Sequence, residues 1–164
     1  MTKPDKNQFR ASAFLISLTL LSMMAMPSPV AGRTPQDNVL GIRIGMSRDE
    51  VHRRLQKLGE MEREVRGRQE VWKLSREPRL ASILVGFDTG FKVRYVTAIS
   101  RDGGPRMRYD DIGPLKDAFA ERANGAYTRY TWEIKADKKR AGYFLIAEGR
   151  DPEYLRSYSI KQHN

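Results

Sequence analysis

The feature of this sequence that most constrains its fold is a helix start at residues 44–51, which read IGMSRDEV. Ser47 and Glu50 have the spacing of a capping box, in which the glutamate side chain reaches back to the backbone N–H of the cap residue. Met46 and Val51 are spaced to pack against each other and fix the angle at which the chain enters the helix. These residues predict a helix that begins after Ser47.

The residues that follow give this helix one apolar face. Leu55 and Leu58 recur with Val51 at the i, i+4, i+7 spacing of a buried stripe, and Gly59 ends the pattern. Residues 60–68 are a run of mixed charges, which predicts a solvated connection between the helix and a sheet.

The first 32 residues have the layout of a secretory signal peptide. Basic residues precede an uncharged apolar run at residues 11–25, and prolines and small residues follow it. The alternative is an uncleaved anchor, but the apolar run is shorter than the ~20 residues that a membrane-spanning helix needs. We therefore expect residues 1–32 to be removed, leaving one domain at residues 33–164, without a transmembrane segment, in the periplasm.

The charge of the chain favours anionic partners. Its 164 residues carry a formal net charge of +10, which attracts anionic lipid, lipopolysaccharide or an acidic protein surface. Export makes nucleic acid an unexpected partner. The chain has no cysteine, so it can form no disulfide, thiol nucleophile, cysteine-based metal site or cysteine-linked lipid anchor.

Six runs in the sequence have the composition of strands and are separated by turn residues. They lie at residues 69–74, 80–87, 91–101, 127–135, 140–148 and 154–161. Residues 110–123 predict a second helix, with Asp111 or Gly113 as its cap. The predicted fold class is α+β: two α-β-β-β units that form an antiparallel sheet of about six strands with both helices on one face.

The two predicted units align as a weak internal repeat. A shift of 60 residues superimposes three pairs of apolar residues, namely Leu55 on Leu115, Trp72 on Trp132 and Leu84 on Phe144. The pseudo-repeats span residues 39–104 and 105–164.

Two helices with single apolar stripes would cover only one face of the sheet, and the other face would be open. In the third run, Phe91, Val93, Tyr95, Thr97 and Ile99 fall on one side, which we assign to the core. The residues that alternate with such inner stripes predict a basic open face that binds a partner. They are Lys92, Arg94, Arg129 and Lys135. The alternative is that these charges only keep the protein soluble.

The sequence lacks the residues of a recognisable active site. It has two histidines, His52 and His163, so a three-histidine metal site is excluded by count, and no carboxylates have the spacing of a mixed site. His52 is expected on the solvated side of the first helix. We interpret Asp110 and Asp111 as a helix start and not as a catalytic pair. We therefore expect no catalytic residues, no metal or cofactor site, and no enzyme activity.

Several motifs in the first half match a known family. They are Ile44-Gly45-Met46-Ser47, Glu50-Val51, Leu55, Trp72, Phe87-Asp88-Thr89-Gly90, Val93 and Val96. Over roughly residues 39–99 the chain resembles the SmpA/OmlA (BamE-like) family of outer-membrane assembly proteins. It lacks the lipobox cysteine expected of an outer-membrane lipoprotein. The resemblance implies a non-enzymatic envelope-binding or assembly module whose partner is an envelope protein or an anionic outer-membrane component.

The doubled arrangement is similar to that of secreted β-lactamase-inhibitor proteins, in which tandem units share one concave sheet. This second similarity implies the alternative function, a secreted proteinaceous inhibitor of an enzyme. As an envelope-binding module the protein is expected in the periplasm, either free or peripherally associated with the outer membrane.

Overall fold

The computed structural model describes residues 34–123, 127–138 and 141–163. The expected signal peptide, residues 1–32, lies outside the described residues. Within them the chain forms one α-helix, α1 (Arg48–Leu55), two short 3₁₀ turns (Tyr109–Asp111 and Leu115–Asp117) and eight strands. The strands are β1 (Glu60–Val65), β2 (Gln69–Lys73), β3 (Leu80–Phe87), β4 (Val93–Ser100), β5 (Phe119–Ala123), β6 (Tyr127–Ile134), β7 (Tyr143–Gly149) and β8 (Ser157–Gln162).

All eight strands belong to one antiparallel sheet with the order β1-β2-β3-β4-β8-β7-β6-β5. The first four strands make one half and the last four make the other, in mirrored order. The halves meet where β4 pairs with β8, from Tyr95 opposite Lys161 to Ile99 opposite Ser157. We call this pairing the seam.

The predicted fold class, six strands beneath two helices, is therefore wrong. Two strands were missed, β1 and β5, and both lie at the edges of the sheet. Five of the six β1 residues are exposed and the sixth is half-buried, so the strand has no apolar alternation for the sequence to display. Charged residues on an edge strand also discourage pairing with other chains, which explains why this segment reads as a solvated connection.

The predicted second helix at residues 110–123 is also wrong. The segment forms the two 3₁₀ turns and then β5. Pro114 separates the turns in an extended conformation (ψ 117°), and Ala118 returns to extended backbone (ψ 144°). Proline lacks the N–H that a continuing helix would use. Gly113 packs against Trp132, whose ring would lie 2.9 Å from any added Cβ atom.

The predicted first helix is confirmed as α1. The backbone N–H of Ser47 donates to Glu50 Oε2 over 2.9 Å, and the Ser47 hydroxyl donates to the same oxygen over 2.6 Å. Val51 and Leu55 on its apolar stripe are fully buried. The helix start therefore forms as the capping pattern predicts.

One face of the sheet, which we call the covered face, carries the core. Its buried strand residues include Trp72, Ile83, Val85, Val96, Ala98, Trp132, Leu145 and Ile160. Helix α1 lies over the first half, where the rings of His52 and Trp72 are 5.4 Å apart. Residues 105–118 lie over the second half, where the indole N–H of Trp132 donates to the Pro114 carbonyl over 2.9 Å.

A third segment, residues 34–47, also covers this face. The hydroxyl of Tyr143 on β7 donates to the carbonyl of Gln36 over 3.3 Å, and the N–H of Gln36 donates to the Ile112 carbonyl over 2.9 Å. Each half of the sheet is thus closed by a different kind of structure, a helix in the first half and irregular chain in the second.

A β-bulge in β4 changes which residues face the core. Val93 pairs with Phe87 and Tyr95 pairs with Gly86, so Arg94 is an extra residue between them. Val93 is buried in the core, but beyond the bulge Val96 is the buried residue and Tyr95 is not. The predicted inner stripe is therefore wrong for Tyr95, Thr97 and Ile99, which lie on the opposite face. It is also wrong for Phe91, which precedes β4 and is 48% exposed.

No helix in the described part of the chain has the length and apolar character to cross a membrane.

The repeat offers a matched test of the core. Leu55 is fully buried, whereas Leu115, its partner at the 60-residue shift, is 37% exposed. Leu55→Ala should lower the free energy of unfolding by about 2–5 kcal/mol because it leaves a cavity under α1. Leu115→Ala should cost less than about 1 kcal/mol. Urea denaturation of both variants measures the difference, and equal losses would contradict the asymmetric closure of the two halves.

Candidate functional site

The face of the sheet opposite the core, which we call the open face, has a continuous middle row of cross-strand neighbours. This row crosses all eight strands and consists of Arg63, Val71, Leu84, Thr97, Ser159, Ile146, Thr131 and Phe119. Its six inner members are half-buried, and Phe119 at one end is 68% exposed. The middle of the open face is therefore apolar or uncharged.

Two flanking rows run beside the middle row. One consists of Gln69, Gly86, Tyr95, Lys161, Phe144 and Glu133, and the other of Lys73, Ser82, Ile99, Ser157, Glu148, Arg129 and Glu121. In the second row Arg129 lies 3.0 Å from the Glu148 carboxylate and 3.8 Å from that of Glu121. The charges of that row are largely compensated.

The four predicted binding residues do not form one cluster. Arg129 is part of the compensated row, and Arg94 is the exposed bulge residue of β4. Lys92 is exposed and bridges to Ser47, beside the start of α1. Lys135 follows the end of β6, which lies three strands from β4, or about 14 Å across the sheet.

Arg94 belongs instead to a basic cluster that the sequence reasoning missed. It lines a recess of about 810 Å³ together with Arg66, Arg68 and Lys161, and we call this cavity the basic recess. Among the described residues that line it, none is an aspartate or a glutamate. Four cationic side chains thus line one recess beside the first flanking row.

The floor of the basic recess is formed by Tyr95 and its neighbours in the flanking row. The ring of Tyr95 lies on Gly86, where an added Cβ atom would be 2.1 Å from it. Its hydroxyl donates to Gln69 Oε1 over 2.9 Å. Burial raises the pKa of this hydroxyl, although the charge of Arg94 opposes the shift. The phenol therefore stays neutral and presents a fixed, half-buried ring.

The wall of the recess is a tight hairpin turn. Arg66 and Gly67 both have positive φ (51° and 67°) in the three-residue connection 66–68 between β1 and β2, where the Arg68 N–H donates to the Val65 carbonyl over 3.2 Å. Such turns favour asparagine, aspartate or glycine at both positions. The Arg66-Gly67 pair was the available sequence signal for this hairpin, but the charges around it led us to interpret residues 60–68 as a connection.

A second polar cluster lies on the covered face, beneath α1. Glu70 on β2 is fully buried, and its carboxylate accepts from Arg48 Nε over 2.6 Å and from the Trp72 indole N–H over 2.9 Å. Nε2 of His52 lies 2.8 Å from the same carboxylate. Arg48 also reaches Glu64 on β1 over 2.9 Å. These contacts fasten α1 to the first two strands.

The charge of Glu70 is stabilised by its hydrogen bonds. Burial alone would favour the neutral acid, but donors from His52, Trp72 and Arg48 outweigh it and hold the pKa of Glu70 below its ordinary value. We expected His52 on the solvated side of the helix, but the structure places it half-buried against this carboxylate. The cluster has the chemistry of an anchor, since every member contacts another part of the protein.

Other candidate sites have ordinary structural roles. Asp111 accepts from the Arg108 backbone N–H over 2.9 Å, and Asp110 accepts from the Arg108 side chain over 3.0 Å. Both carboxylates thus hydrogen-bond to Arg108, the residue that precedes the first 3₁₀ turn. Within the described residues, no group of three or more histidine, aspartate or glutamate side chains is arranged to hold a metal ion.

Comparisons with protein-family models, curated proteins and solved structures found no match for this chain. The likeness to the SmpA/OmlA family therefore rests on the sequence motifs alone.

The buried carboxylate predicts a specific dependence of stability on pH. Glu70→Gln should lower the free energy of unfolding at pH 7 by about 3–5 kcal/mol, because it leaves the Arg48 charge without its buried partner. A carboxyl with a lowered folded pKa stabilises the fold above its ordinary pKa and loses that effect as the pH falls through the folded value. The gap between wild type and Glu70→Gln should therefore shrink below pH 4.5.

Urea denaturation at pH 7 and at pH 3 measures this gap. Glu121→Gln is the matched control, because that carboxylate is half exposed and lies 3.8 Å from Arg129. It should change the free energy of unfolding by less than about 1 kcal/mol. A Glu70→Gln protein as stable as wild type at pH 7 would contradict the anchoring role.

Proposed function

We propose that this protein is a non-enzymatic binding module of the cell envelope that docks a partner protein on the open face of its sheet. The single observation that carries the proposal is the middle row, which extends an uncharged, half-buried stripe over both halves of the sheet. Among the described residues, the segments that pack on the sheet lie on the covered face. A partner would bury the middle row and exclude water from it.

The chemistry of the two flanks supports a protein partner. The stripe has an uncharged centre and charged margins, the arrangement of an interface core surrounded by a polar rim. Val71, Leu84 and Ile146 supply apolar area on both sides of the seam. Phe119 adds an exposed aromatic side chain at one end.

The proposed location is the periplasm, after removal of residues 1–32, with peripheral attachment to the outer membrane. The signal-like start and the SmpA/OmlA motifs support this location. Without residues 1–32, which carry a net charge of +2, the chain keeps a formal net charge of 10 − 2 = +8, which favours residence near anionic envelope components.

A second candidate function is inhibition of an enzyme by a secreted protein. The mirrored strand order on either side of the seam favours it, because tandem units sharing one sheet are the feature that resembles secreted inhibitors. Both functions use the open face. The identity of the captured protein separates them, since an envelope assembly component supports the first and a soluble enzyme that loses activity when bound supports the second.

The test is affinity capture from solubilised envelopes with Thr97→Arg, which adds a charge at the centre of the middle row. Thr97→Arg should reduce recovery of the wild-type partner about tenfold or more, because the arginine must be desolvated in the interface core. The matched control is Thr34→Arg, since Thr34 is exposed in the segment that covers the opposite face. Equal recovery with a folded Thr97→Arg protein would overturn the proposal, and thermal unfolding verifies that it is folded.

A further inference from the structure

We propose that the basic recess binds a phosphorylated sugar. This inference extends the proposed function. It rests on that function in one respect, the use of the open face as the binding surface. It concerns the end of that face where Lys161 and Tyr95 pair across the seam.

The charges of the recess call for an anion with more than one negative charge. Arg66, Arg68 and Lys161 line one cavity together with Arg94, which also interacts with another residue of the protein. A phosphate monoester carries about −1.5 to −2 charge at pH 7 and three acceptor oxygens. Arginine matches such a group with paired N–H donors, and lysine adds a compact point charge.

Two carboxylates of the neighbouring strands β1 and β2 are bound on the covered face. Glu64 and Glu70 are opposite each other on β1 and β2, and both contact Arg48 beneath α1, on the covered face. They are therefore already paired with Arg48 on the other side of the sheet.

The size and floor of the recess indicate more than a bare phosphate ion. Its volume of about 810 Å³ lies within the ~300–1,000 Å³ typical of small-molecule sites. The Tyr95 ring is held in place by Gly86 beneath it and by the hydrogen bond to Gln69. A fixed aromatic ring beside cations suits a sugar, whose C–H face packs on the ring while its phosphate meets the arginines.

The conformation of Arg66 also favours a binding role. Its φ of 51° lies in the left-handed region, which asparagine, aspartate or glycine adopts more readily than arginine. The chain thus has an arginine at a position where local turn geometry favours another residue. Residues held in such conformations concentrate at functional sites.

The test is calorimetric titration of the full chain with glucose 1-phosphate, with glucose and inorganic phosphate as comparisons. We expect saturable binding of glucose 1-phosphate that weakens with added salt, and weaker binding of both comparison ligands. Arg66→Asn and Lys161→Gln should each reduce the affinity about tenfold, the effect of losing one charge-assisted contact. Arg66→Asn should melt no lower than wild type, because asparagine tolerates positive φ.

The control variant is Arg53→Gln, because Arg53 is exposed on α1 and should leave binding unchanged. Phosphatidylcholine vesicles with and without lipid A, whose headgroup is a phosphorylated sugar, identify the source of the ligand. Tighter binding to lipid A vesicles, lost in the Lys161→Gln variant, would assign the sugar phosphate to a membrane, and binding of glucose 1-phosphate alone would assign it to solution.

Three results would overturn the inference: no binding of glucose 1-phosphate, equal affinity for inorganic phosphate, or full affinity in both recess variants. None of them touches the protein-docking proposal, which Thr97→Arg tests at a different position. Conversely, unchanged partner capture by Thr97→Arg would overturn only the docking proposal. Binding of a sugar phosphate by the recess is tested separately, by the titration with glucose 1-phosphate.

Discussion

The seam between β4 and β8 is the interaction on which the rest of the structure depends. Five consecutive residue pairs, from Tyr95–Lys161 to Ile99–Ser157, join two four-stranded halves into one sheet. Because side chains alternate along the paired residues 95–99 and 157–161, this register aligns the residues of both halves on the same face. A shift of one residue would break the middle row at Thr97 and Ser159 and send Val96 or Ile160 out of the core.

The two faces of the sheet differ because only one is closed. On the covered face, α1 needs more than apolar contact to hold its position, since its buried stripe is short. The carboxylate of Glu70 supplies a directional attachment through Arg48 and His52. Such a buried charge is costly unless it is fully paired, so the same cluster that fixes the helix also restricts it to one place on the sheet. The open face has no corresponding anchor among the described residues.

The sequence predicts those parts of the fold whose contacts lie close together along the chain. The start of α1 was predictable because Ser47 and Glu50 form their contacts within a single turn. The edge strands were not, because an edge strand such as β1 has charged residues on both sides and no apolar period. The bulge at Arg94 could not be predicted either, since the alternation from Phe91 to Ile99 is regular in sequence. One extra residue places the residues that follow it on the opposite face of the sheet.

The basic recess could not be predicted from the sequence for a related reason. Arg66 and Lys161 are far apart along the chain, and they meet only because the mirrored strand order brings β8 beside β4. Arg94 was predicted to face a partner, but its grouping with Arg129 and Lys135 assumed a uniformly basic face. The ion pairs of Arg129 and the grouping of four cations around one recess depend on the tertiary fold, so composition and periodicity cannot predict them.

If the open face is the docking surface, both of its halves bind one partner and the covered face does not. Photocrosslinking from a benzophenone side chain placed at Thr97, at Ile146 or at Arg53 tests it most directly. The first two positions lie in the middle row on either side of the seam, and Arg53 is exposed on α1. We expect crosslinks to the same envelope protein from Thr97 and Ile146 and none from Arg53. Crosslinking from Arg53 alone, or from one half of the sheet alone, would contradict this expectation.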